Sequence, residues 1–103
     1  MDCIRKAHKA GVKIVVGTDY CDWEVNLNVG EFKCLLDIGM TPMQAIKAGT
    51  SVAASMLQWD TKVGSIKEGM LADIVAVKGN PLEDMTALRN VQFVMLGGQI
   101  MKQ

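Results

Sequence analysis

The fold turns on the stretch Gly11-Val12-Lys13-Ile14-Val15-Val16-Gly17-Thr18-Asp19. Apart from Lys13, residues 12–16 are all β-branched and apolar, which puts apolar side chains on both faces. That pattern fits a strand buried on both sides in a parallel sheet, not an edge hairpin. A small-residue turn follows, and then a carboxylate. In α/β proteins, ligands and reacting groups collect at the C-terminal ends of parallel strands. Asp19 is therefore the leading candidate for chemistry, although an Asp in this place also serves as a turn former or helix cap.

The flanks support an α/β reading. Residues 2–10 have helical periodicity, with Ile4, Ala7 and His8 on one face, and Gly11 stands where a helix stops. Helix, glycine turn and buried strand make half of a βαβ unit. Residues 17–29 form a long loop, of a length that is usually functional in compact domains. Helix returns over 30–38, with Phe32, Leu35, Leu36 and Gly39 on one stripe. Thr41-Pro42-Met43-Gln44 is a helix start with the makings of a capping box. Thr50 is placed to cap a second short helix whose expected buried face is Val52, Ala53, Met56 and Leu57. The small residues Ala48, Gly49, Ser51, Ala53 and Ala54 permit close helix approach. Beyond a turn-rich connector at 63–69, strands are expected at 72–77, 91–96 and 99–102, the last two joined by Gly97-Gly98. Residues 81–88 read as a short helix or turn.

Composition narrows the function. The chain has 103 residues, half of them hydrophobic, with 11 basic and 11 acidic side chains and no net charge. This is a globular composition with no Lys/Arg cluster, which argues against nucleic-acid and membrane partners. No apolar run approaches the roughly 20 residues that span a bilayer, and the first residues lack the apolar core of a signal peptide, so the expected compartment is the cytoplasm. Cys3, Cys21 and Cys34 are an odd set without Cys-x-x-Cys spacing, which fits reduced, mostly buried thiols. The methionines from Met40 to Met101 read as gap-filling core. His8, the sole histidine, lies on the helix before the strand, at the wrong end for chemistry beside Asp19.

Four segments in order then carry a resemblance: residues 11–19; Gly39-Met40-Thr41-Pro42-Met43-Gln44-Ala45-Ile46; Thr50-Ser51-Val52-Ala53-Ala54; and Val63-Gly64-Ser65-Ile66-Lys67-Glu68-Gly69-Met70-Leu71-Ala72-Asp73-Ile74-Val75-Ala76-Val77. Gly79-Asn80-Pro81-Leu82 and residues 91–102 continue it. Together they resemble the C-terminal part of a metal-dependent amidohydrolase, of the branch that holds prolidase-like (Xaa-Pro dipeptidase) and imidazolonepropionase-like enzymes. The resemblance implies that residues 1–61 are the last strand and helices of a (β/α)8 barrel. It implies that residues 62–103 are strands of a small β-sandwich domain.

It further implies that Asp19 is the strand-eight aspartate, a ligand to a divalent metal (zinc in most of the family) and the acceptor of a proton from the attacking water. Tyr20 and Trp23 become candidates for substrate binding, with Glu24, Asn28 and Glu31 nearby. Many relatives carry a histidine in this stretch where Asp22 and Trp23 stand, which leaves the substrate open among dipeptides, cyclic amides and related C–N bonds. Asp73, in the segment that resembles Gly-x-x-Ala-Asp, reads as structural. The family's centre also needs a His-x-His pair and further ligands from earlier strands, and this sequence supplies only the strand-eight contribution. The expectation is therefore a partial amidohydrolase, inactive alone, that associates with itself or with the remainder of the barrel. The alternative is a barrel-completing subunit or a non-catalytic oligomerisation module.

Overall fold

A computed structural model describes residues 1–19 and 28–103. Among them run helices α1 (Asp2–Lys9), α2 (Asn28–Asp37), α3 (Pro42–Ala48) and α4 (Ser51–Met56), strand β1 (Ile74–Val77), a 3-10 helix (Met85–Arg89), and strands β2 (Val91–Leu96) and β3 (Gln99–Lys102). The architecture is α/β, with the helices first and a small antiparallel sheet last.

The helix ends follow from local chemistry. α1 carries Asp2 in its first turn and Lys6, His8 and Lys9 in its last, which complements the helix dipole. It closes in a Schellman turn: the Gly11 and Val12 amides donate to the His8 and Ala7 carbonyls, with Gly11 at φ +81°. α2 starts two residues earlier than its sequence pattern indicates, at Asn28. It closes the same way, through Gly39 and Met40 donating to Leu36 and Leu35. Arg5 on α1 reaches the open end of α2, its guanidinium donating to the Asp37 carbonyl at 3.0 Å.

α3 has the full capping box: the Gln44 amide donates to Thr41 Oγ1, and the Thr41 amide to Gln44 Oε1. Thr50 does not act as the expected side-chain cap. Its hydroxyl donates back to the Ile46 carbonyl at 2.8 Å, because α3 ends within hydrogen-bonding reach of it and competes for the hydroxyl.

The expected strand at 12–16 forms no ladder. A parallel strand is defined by its neighbours, and the described residues offer none. The segment is held at its two ends instead, by the Val12 bond to α1 and by the Val16 amide donating to the Ala48 carbonyl at 3.1 Å. Ile14 and Val16 pack on the main core, formed by Leu35, Ile38, Ala45, Ala48 and Met85. Met85 brings the 3-10 helix against α2, so the C-terminal part shares this core.

The sheet is a simple antiparallel order, β1-β2-β3. β1 meets β2 with Ile74 opposite Met95 and Ala76 opposite Phe93, and β3 meets β2 with Met95 opposite Ile100. Gly97 and Gly98 both take positive φ, 55° and 82°, as a two-residue hairpin turn matched to strand twist requires.

Several side chains expected inside lie outside. Met56 and Leu57 are exposed, and Ala54 is the buried residue of α4. Of the methionines only Met85 is buried, while Met43, Met56 and Met101 are exposed. Cys3 and Cys34 are free thiols and exposed, not buried. One cause serves all three corrections: these faces have no second layer to cover them. The chain exposes 7709 Å², against about 5,700 Å² expected for a compact monomer of this size. Among the described residues no helix is long and apolar enough to cross a membrane.

Candidate functional site

Asp19 stands at the end of an anchored lever. α1 delivers the chain through a glycine turn, residues 12–16 run along α2 and α3, and the Val16 amide is fixed to the end of α3. The approach there is close. A Cβ on Gly49 would sit 2.7 Å from the Phe32 ring and 3.5 Å from the Val16 side chain, so glycine at 49 lets α2, α3 and the segment meet. Beyond Val16 the chain continues through Gly17 and Thr18. Asp19 then takes φ +50°, a left-handed conformation that Asp tolerates better than most residues. Its side chain is exposed.

A cavity of about 170 Å³ opens at this end, walled by Gly17 and Glu31 above an apolar floor that includes Ile4, Ile14, Leu35 and Ile38. Glu31 is half-buried, and Asp19 is not among the lining residues. His8 is also half-buried and lies at the opposite end of the segment. There it lines a cavity of about 370 Å³ together with Lys13, Gln44 and Lys47. Tyr20, Trp23 and Glu24 lie outside the described residues. Asn28 is the exposed first residue of α2.

Asp73 has a structural task. The Gly97 amide donates to Asp73 Oδ1 at 2.7 Å, and the Gly98 amide donates to the Ala72 carbonyl at 3.1 Å. The pair clamps the β2–β3 turn to the entry of β1. Asp84 is likewise occupied: it accepts from the amide and the hydroxyl of Thr86, opening the 3-10 helix. These bonds, the side-chain one first, hold its carboxyl below its ordinary value. Sequence pattern gave no sign of the Arg5–Asp37 link that ties α1 to α2 beside the segment, since a guanidinium-to-carbonyl bond leaves no periodic trace.

As a donor, the Asp19 carboxylate is of the kind a divalent cation takes. As a set it falls short, because stable sites use three or four protein ligands. Among the described residues no group of three His, Cys, Asp or Glu side chains is placed to hold a metal. The described residues by themselves therefore do not make up such a centre.

Comparison with known proteins places this geometry. The profile of the amidohydrolase family matches residues 1–101. The crystal structure of a Xaa-Pro dipeptidase with methionine bound in its active site superposes with a TM-score of 0.92 at 42% identity, covering 99% of this chain and 25% of that one. A prolidase complexed with N-methylphosphonate-L-proline superposes at 0.89 and 28% identity, over 99% of this chain and 26% of that one. Ochratoxinase from Aspergillus niger is 37% identical over 100 residues, 93% of this chain and 21% of its own length. Its crystal structure superposes at 0.84. The chain thus spans about a quarter of the solved structures it matches and about a fifth of that curated relative. On sequence and on structure alike, this chain belongs to the amidohydrolase family.

Proposed function

We propose that this chain is the C-terminal part of a metal-assisted hydrolase of C–N bonds, of the dipeptidase kind, to which it contributes Asp19. The observation that carries the reading is the placement of Asp19: exposed, with a left-handed φ, just past a segment pinned to α3, and at the end opposite His8. The names of the matched structures, a Xaa-Pro dipeptidase and a prolidase, support dipeptides as the substrate class. A bound divalent cation, zinc in this reading, supplies charge that polarises the scissile carbonyl and lowers the pKa of water toward neutrality. Asp19 would help to hold that cation through its carboxylate and would serve as the acceptor for a proton from the attacking water. Tyr20 and Trp23, which follow Asp19 in the sequence, would bind the substrate. The other ligands come from the rest of the barrel.

The same reading divides the chain at residues 61 and 62, barrel part before and sandwich part after, and sets it in the reducing cytoplasm, consistent with free Cys3 and Cys34. Its partner is the remainder of the barrel. The roughly 2,000 Å² by which the chain's exposure exceeds that of a compact monomer is on the scale of an obligate interface. That excess equally favours a second reading, in which the chain completes a barrel as a separate subunit.

The test is Asp19→Asn in the protein encoded by the complete reading frame, a change that keeps the size and the left-handed tolerance of the residue. Hydrolysis of Xaa-Pro dipeptides is expected to fall by about 10²-fold or more, with unchanged circular dichroism and reduced bound metal by elemental analysis. Wild-type turnover in the variant would overturn the assignment. Stoichiometric metal in the 103-residue chain alone would overturn the claim that the remaining ligands lie elsewhere.

A further inference from the structure

We draw no further inference here: the strongest candidate, the cavity of about 370 Å³ between the end of α1 and α3 with His8, Lys13, Gln44 and Lys47 on its walls, carries nothing because it lies open on a chain that spans a quarter of its structural relatives and nothing in the structure shows what covers it.

Discussion

Gln58 sits at φ +58°, a conformation that costs an L side chain about 1 kcal/mol or more and that glycine adopts freely. It closes α4 in the same turn that Gly11 and Gly39 give α1 and α2, with the Gln58 and Trp59 amides donating to the Ser55 and Ala54 carbonyls. Gln58→Gly is therefore expected to stabilise the chain by roughly 0.5 kcal/mol, the conformational gain less the entropy glycine adds to the unfolded chain; a lower midpoint in urea would contradict this. Asp84 offers a titration at the same scale. Its folded carboxyl lies below the ordinary 3.8 because Thr86 donates to the ionised form, first through its hydroxyl. A depressed acid contributes stability above its unfolded value and loses it as pH falls through the folded one. The contribution should thus be full at neutrality and fade only in acid below the ordinary value. Carbon-13 titration of Asp84 should move back toward that value in Thr86→Val. An unmoved curve would mean that the hydroxyl is not the main cause.

At the scale of elements, what reads directly from sequence is whatever is decided within a few residues. The Thr41–Gln44 box, the Gly11 and Gly39 stops and the Gly97-Gly98 turn depend on side chains within a turn of one another, and all form as their spacing indicates. Residues 12–16 illustrate the opposite case. Their both-faces apolar pattern specifies a strand, but a strand acquires its hydrogen bonds from neighbours that these residues do not contain. The segment therefore runs without a ladder, and Asp19 is legible as a position without its companions. Gly64 joins the two kinds of information. Its φ of +92° is a local demand, but a Cβ there would also sit 2.6 Å from the Ala54 Cβ and 3.0 Å from the Thr50 carbonyl, so the connector packs tightly on α4. Gly69 has φ +84° and nothing within 4 Å. Gly64→Ala should accordingly cost about 2 kcal/mol or more, from strain plus overpacking, and Gly69→Ala about 1 kcal/mol from strain alone. Equal midpoint shifts in denaturation would show that the close approach of connector and α4 is not sustained.

At the scale of the whole molecule, the chain is too open for its length. Its radius of gyration is 14.2 Å, against about 13 Å for a compact domain of this size. Among the described residues no large side chain is fully buried. Ile66 is 81% exposed and Trp59 54%, and both free strands β1 and β3 carry exposed apolar residues, Val75 on one and Ile100 and Met101 on the other. Hydrophobic periodicity marks the methionines and the face of α4 as interior, but period alone does not supply a layer to cover them, and most of them lie uncovered. Uncovered apolar faces and unpaired edges favour association. The 103-residue chain alone is therefore expected to form concentration-dependent assemblies by light scattering. On the proposed reading, adding the preceding part of the barrel should dissolve them into a defined complex. With Trp23→Phe leaving Trp59 as the sole indole, its emission should shift to the blue as that surface loses water. A chain that stays monomeric at every concentration, with Trp59 emission unmoved by the preceding part of the barrel, would show that these faces are solvent surfaces in their own right and that no larger barrel is built on them.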